Sequence, residues 1–182
     1  MYYGKIKKND ITNGPGLRTS IYVSGCRNKC SGCFNKETWD FCYGKEFTSA
    51  TMDELITCSK PDYIKGITLL GGEPLEPENQ ECVLEIIKTF KSFYPHKDIW
   101  LFSGYMLDNQ INKWISNLPY TKDIIKNIDV LVDGKFIESL KDMKLGFRGS
   151  SNQRIIDMKK TIEKGSIVLH DEHYKKEKKE WK

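Results

Sequence analysis

The sequence predicts an α/β fold with a mostly parallel sheet, on three observations. Four short runs rich in β-branched and aromatic residues, at 20–23, 67–70, 99–102 and 128–132, each lead at once into a turn that contains glycine. Between them lie segments whose apolar residues recur every three or four positions, the period of a helix with one buried face. Strand and helix therefore alternate, as in a layered α/β domain. The third observation is length: 182 residues can bury one sizeable core and are too few for two.

The elements follow in order. Ser20-Ile21-Tyr22-Val23 forms a strand that opens through Ser24-Gly25 into a cysteine-bearing loop. Met52, Leu55 and Ile56 predict a short helix opened by Thr51, with Asp53 and Glu54 in the first turn, where the positive end of the helix dipole favours acidic residues. The strand at 67–70 runs into Gly71-Gly72-Glu73-Pro74. Val83, Leu84, Ile86, Ile87, Phe90 and Phe93 place a helix over 78–94, which Pro95 ends. The strand at 99–102 leads to Ser103-Gly104-Tyr105. A further helix carries Leu107, Ile111, Trp114, Ile115 and Leu118, and the strand at 128–132 leads to Asp133-Gly134. Ligands of parallel sheets gather at the carboxyl ends of the strands, so these four turns are expected along one edge. An eight-unit barrel needs about 250 residues, and only four or five units are visible. The sequence has no internal repeat, low-complexity segment or linker that would mark a second domain.

Composition narrows the function classes. Hydrophobic residues at 38% and charged residues at 30% describe an ordinary globular protein. The 29 Lys and Arg against 25 Asp and Glu give a net charge of +4, too small to argue for nucleic acid. Part of that excess sits in the terminal run at 174–182, YKKEKKEWK, which reads as a solvated tail. The first ten residues lack the apolar core of a signal peptide, and no later stretch is apolar enough to span a bilayer. No membrane partner is expected, and the expected compartment is the cytoplasm.

The most specific feature is Cys26-Arg27-Asn28-Lys29-Cys30-Ser31-Gly32-Cys33, three thiols spaced C-x-x-x-C-x-x-C. Four-iron clusters are normally held by four thiolates, so a loop that supplies three leaves one iron open to another ligand. A cysteine zinc site would show two separated C-x-x-C pairs, or a cysteine pair with a histidine pair, and neither occurs here. Incidental buried cysteines are the plain alternative, but they rarely cluster so tightly. In a reducing compartment Cys42, Cys58 and Cys82 read as structural free thiols; Cys42 is the nearest alternative fourth ligand, with a spacing unlike ferredoxin runs. Gly71-Gly72-Glu73-Pro74 would let backbone approach a ligand closely and set a carboxylate beside an ammonium group, although such a stretch is often only a turn.

Together these segments resemble one family. Asn13-Gly14-Pro15-Gly16-Leu17-Arg18, then Val23-Ser24-Gly25 with the cysteine loop, then Phe34-Asn35-Lys36-Glu37-Thr38-Trp39, are similar to the start of anaerobic ribonucleotide reductase activating proteins of the radical S-adenosylmethionine superfamily. Gly66-Ile67-Thr68-Leu69-Leu70 before the glycine turn, Asp98-Ile99-Trp100 before Ser103-Gly104-Tyr105, Val130-Leu131-Val132-Asp133-Gly134-Lys135-Phe136, and Arg148-Gly149-Ser150-Ser151-Asn152-Gln153-Arg154 follow in the family's order. The resemblance spans residues 1–154, one activase domain; 155–182 is left as a charged C-terminal extension peripheral to it. Phe34 stands where the family commonly has tyrosine, and Leu70 where a small hydroxyl residue is frequent.

The resemblance implies a shortened, open (β/α) partial barrel. It implies a 4Fe-4S cluster on Cys26, Cys30 and Cys33, with S-adenosyl-L-methionine on the fourth iron. The reduced cluster would cleave that cofactor to methionine and a 5′-deoxyadenosyl radical, which forms a glycyl radical on the large subunit of the anaerobic ribonucleoside-triphosphate reductase. Gly71, Gly72 and Glu73 are expected around the methionine ammonium, with Gly32, Cys33 and Phe34 against the cofactor. Ser103, Tyr105 and Asp133 are candidates for its ribose or carboxylate, and Arg148, Ser150, Ser151, Asn152 and Arg154 for its carboxylate or the partner. A flavodoxin or ferredoxin would supply the electron. Two rival readings are an activase for another glycyl-radical enzyme, such as pyruvate formate-lyase, and a small iron–sulfur electron carrier. A metal-binding interaction module is a third.

Overall fold

A computed structural model describes residues 1–170 of the chain, and the basic run at 174–182 lies outside the described residues. Its elements, in chain order, are β1 (Tyr2–Asp10), β2 (Leu17–Val23), β3 (Lys45–Glu46), α1 (Ser49–Ser59), β4 (Ile64–Gly71), α2 (Pro77–Phe93), β5 (Asp98–Phe102), α3 (Asn112–Asn117), α4 (Thr121–Asn127), β6 (Val130–Asp133), β7 (Arg154–Asp157) and α5 (Met158–Lys164). The strands form a seven-stranded sheet in the order β3-β1-β2-β4-β5-β6-β7. Its centre, β2-β4-β5-β6, is parallel as expected, but both edges are antiparallel, so the sheet is mixed. The 11–16 loop is too short for a crossover, so β1 must return antiparallel to β2.

Local chemistry explains the helix boundaries. The cap of α1 is Thr48, and the expected opener Thr51 is its reciprocal partner: Thr48 Oγ1 accepts the Thr51 N–H and Thr51 Oγ1 accepts the Thr48 N–H. Pro77 occupies the first turn of α2, where a missing N–H costs nothing, and the helix ends at Phe93, just before Tyr94 and Pro95. The helix expected through Leu107 and Leu118 is two pieces, a π turn at Leu107–Ile111 followed by α3. The Leu107 N–H is held by Asp133 Oδ2 at 2.8 Å, which anchors this segment at its start.

Alternate strand residues serve opposite faces. Ile21, Ile67, Leu69, Ile99, Leu101 and Leu131 join Val83, Ile86, Ile87 and Phe90 of α2 in the main core. On the other face Trp100, Val130, Val132 and Ile155 form a second, smaller cluster, with Phe102 and Phe147 packed against it. Arg18 lies on that side, fully buried, with Nε donating to Thr68 Oγ1 at 2.8 Å, its guanidinium paired with Asp98 and stacked 5.5 Å from the Trp100 ring. Residue 154 opens β7, so a boundary drawn there falls inside the sheet. Ile155 and Ile156, counted with the charged extension, are buried because β7 pairs with β6, and Met158, which opens α5, is buried in the main core. Among the described residues no helix is long and apolar enough to cross a membrane.

Candidate metal centre and cofactor cavity

The loops that leave β2, β4, β5 and β6 meet around a cavity of about 420 Å³. Cys26, Gly72, Ser103 and Gly134, one from each of these loops, all line it, as expected for the carboxyl edge of a parallel sheet. The connection from β6 to β7 closes another side with Phe136, Met143, Leu145, Phe147 and Arg148.

Cys26, Cys30 and Cys33 share the cavity wall. The Asn35 N–H points at the Cys33 sulfur at 3.4 Å, and the nearby backbone of Asn28 and Lys29 for Cys26, and of Phe136 for Cys30, favours the thiolate form. N–H groups aimed at sulfur are what tunes an iron–sulfur site. Burial, with the charge of Glu73 behind it, pushes the Cys26 thiol up to about 11, and burial raises Cys30 as well. Such thiols stay protonated at neutral pH unless a metal charge draws the proton off. Among the described residues no three His, Cys, Asp or Glu side chains form a site for a single ion. In a cluster each thiolate meets its own iron, so three thiols spread along one wall fit a 4Fe-4S group. Cys42 is exposed, and neither it nor Cys58 or Cys82 lines the cavity.

The glycine turn is required by close approach. A Cβ on Gly71, where φ is 109°, would come within 2.7 Å of the Tyr22 backbone, and one on Gly72 within 2.6 Å of the Gly25 carbonyl oxygen. The end of β4 can therefore lie directly against the entrance to the cysteine loop. Glu73 is 1% exposed and accepts the Gly104 N–H at 2.7 Å, the Leu75 N–H at 3.0 Å and the Asn28 amide at 3.3 Å. Burial pushes its carboxyl up to about 7 against the pull of these donors. Its lone pairs are occupied within the protein, so it can act on an ammonium group chiefly as a charge across the wall.

The remaining expected residues divide. Phe34, Gly71, Gly72, Glu73 and Ser103 line the cavity with the cysteines, whereas Gly32, Tyr105 and Asp133 do not. Gly32 makes the left-handed turn between Cys30 and Cys33, with φ of 69°. Tyr105 turns away because its hydroxyl donates to Glu76 Oε1 at 3.0 Å and its ring packs on Trp114. Asp133 is fully buried in an ion pair with Arg154, at 2.8 Å from Nε, so both are structural partners of each other. Arg148 lines the cavity, and Ser150 Oγ accepts the Ile137 N–H at 3.2 Å within the closing segment. Sequence reasoning missed Asn13, Asn28 and Trp39 on the wall, and the aromatic residues of the 134–149 segment. For Asn28 the signal was its position inside the cysteine motif.

Residues 12–156 match the model of the 4Fe-4S single cluster domain family. The anaerobic ribonucleoside-triphosphate reductase-activating protein of Enterobacteria phage T4 is 41% identical over 155 residues, covering 85% of this chain and 93% of that protein. Its namesake from Escherichia coli K12 is 43% identical, covering 84% and 96%, and that of Vibrio cholerae is 41% identical, covering 85% and 97%. The likeness takes in the cysteine loop, the glycine turn and the whole cavity edge, and the chain belongs to the family of anaerobic ribonucleoside-triphosphate reductase-activating proteins.

Proposed function

We propose that this chain is a radical S-adenosylmethionine activase for an anaerobic ribonucleoside-triphosphate reductase, working in the cytoplasm with a flavodoxin- or ferredoxin-type electron donor. The observation that carries this reading is the set of three thiols on the wall of a cavity at the carboxyl edge of β2, β4, β5 and β6. The names of the relatives supply the partner. The parallel strands, which end at this cavity and are flanked by antiparallel edges, are read as a shortened open barrel. Residues 1–154 are read as its working part, to which β7 and α5 add the last strand of the sheet and the last described helix.

Cys26, Cys30 and Cys33 hold the 4Fe-4S cluster. Gly71 and Gly72 offer backbone at the methionine end of S-adenosyl-L-methionine, and the Glu73 carboxylate balances its ammonium charge. Ser103 and Phe34 complete the wall, while Gly32 shapes the loop and Tyr105 and Asp133 act through their neighbours. When bound and reduced, the cluster supplies the electron that cleaves the cofactor to methionine and a 5′-deoxyadenosyl radical, which takes hydrogen from a glycine Cα of the reductase large subunit. The protein's part is to hold the cofactor against the loop and to keep water out with Phe136, Leu145 and Phe147.

The test is anaerobic reconstitution of the full chain with iron and sulfide, followed by reductant, S-adenosyl-L-methionine and the large subunit. The expected results are 5′-deoxyadenosine in solution and a glycyl-radical EPR doublet on the subunit. A reduced cluster that leaves the cofactor intact would favour the electron-carrier reading and overturn this one.

A further inference from the structure

Two buried carboxylates near the start of α2 each reach across to the cysteine loop. Glu73, in the glycine turn, joins the Asn28 side chain at 3.3 Å to the Gly104 N–H at 2.7 Å. Glu76 joins Arg27 to Tyr105: its Oε1 accepts the Arg27 backbone N–H at 2.7 Å and the Tyr105 hydroxyl at 3.0 Å, and its Oε2 takes the Arg27 guanidinium at 2.7 Å. Arg27 and Asn28 directly follow Cys26, and Gly104 and Tyr105 are consecutive in the loop after β5. The contacts form a ladder in which successive residues of one loop meet successive residues of the other. The loops touch at the first rung, since a Cβ on Gly104 would lie 2.5 Å from Asn28 Nδ2.

Helix capping does not account for Glu76. It occupies the N-cap position of α2, yet its side chain makes no cap hydrogen bond, and it is only 1% exposed. A carboxylate buried so deeply needs partners to offset its lost hydration, and all the side-chain partners of Glu76 lie on the cysteine loop and the β5 loop.

We infer that Glu76 and Tyr105 are positioning residues: the Arg27–Glu76–Tyr105 rung fixes the Cys26 end of the cluster loop at a set offset from the Ser103–Gly104 wall, and so determines how a cofactor in the cavity meets the cluster. The identity of that cofactor rests on the proposed function; the rung does not.

The test uses full-length Tyr105→Phe, which keeps the ring on Trp114 and removes one hydroxyl, and Glu76→Gln, which keeps shape but turns an amide toward Arg27. Loss of one charge-assisted hydrogen bond corresponds to about a tenfold change. In cluster-free protein the Arg27 and Asn28 amides should exchange with solvent about tenfold faster in Glu76→Gln and about threefold faster in Tyr105→Phe, with residues 83–90 unchanged. At equal iron content, the S-adenosyl-L-methionine concentration that half-shifts the EPR spectrum of the reduced cluster should rise by similar factors. Unchanged exchange in both variants, or faster exchange with an unchanged half-shift, overturns the inference. If the wild-type spectrum ignores the cofactor, the functional reading fails, and amide exchange alone decides the rung. If Glu76→Gln does not fold, Tyr105→Phe decides.

Discussion

Thr68 and Leu69 are neighbours on β4 and serve opposite sides of the sheet, two regions closed by different physics. Leu69 is fully buried among aliphatic side chains under the helices, where volume and shape are all that matter. Thr68 is equally buried, but its hydroxyl accepts from Arg18 Nε and donates to the Asn13 carbonyl, both at 2.8 Å. Asn13 in turn gives its amide to Asp10 and to the Tyr22 hydroxyl. The helix side is a filled core. The other side joins a small apolar cluster to a connected polar network at the wall of a cavity, and that network keeps its shape only while every member has a partner.

Four substitutions break or sharpen this contrast, from the largest effect to the smallest. Cys30→Ala, on the cavity side, should abolish the cluster while the far-UV circular dichroism stays native; a full iron load with an unchanged EPR spectrum would remove Cys30 from the ligand set. Leu69→Ala should cost about 3 kcal/mol in urea unfolding, the range for an emptied core site, and yet leave iron uptake intact. Thr68→Val, one residue away and close in shape, should cost about 2 kcal/mol by leaving the buried Arg18 Nε and the Asn13 carbonyl without a partner, and should alter the cofactor response of the cluster by loosening Asn13. Equal stability losses at 68 and 69 with no change in that response would erase the distinction between the faces.

The smallest effect is a pH dependence. Burial alone would raise the Asp10 carboxyl, but hydrogen bonds from Lys7, Ser20 and Thr12 outweigh it and hold the group well below the usual range. As pH falls through about 4, the unfolded chain takes up a proton that the folded chain refuses. The stability Asp10 contributes is therefore constant above about pH 5 and lost in acid. Asp10→Asn should flatten this acid limb in a plot of urea midpoint against pH, and a limb of undiminished slope would assign it to other carboxyls.

What the sequence disclosed follows the same division. The parallel strands were legible because each is a run of β-branched or aromatic residues that stops at a glycine turn, and α2 because its stripe continues for 17 residues. The edges were not. β1 interleaves lysines with its apolar residues and has two register shifts, β7 has only Ile155 and Ile156 to mark it, and the only apolar residues that α4 buries are Ile124 and Ile125. At the site, cysteine spacing and the glycine turn were readable because both are constraints within one short segment. Tyr105 and Asp133 were misdirected because their partners, Glu76 and Arg154, stand 29 and 21 residues away, and side-chain direction there is decided only by tertiary contact.

The antiparallel return of β7 beside β6 brings the two ends of the 134–153 segment together on adjacent strands. An excursion anchored in this way can lengthen, shorten or change its aromatic residues without shifting the strands beneath it, since closing a longer loop adds only about 0.6 kcal/mol per doubling. Variation in what the cavity admits can therefore accumulate in the later part of that excursion, while its start, tied to the cysteine loop by Phe136 against Phe34 and by Glu138 against Ser31, stays constant.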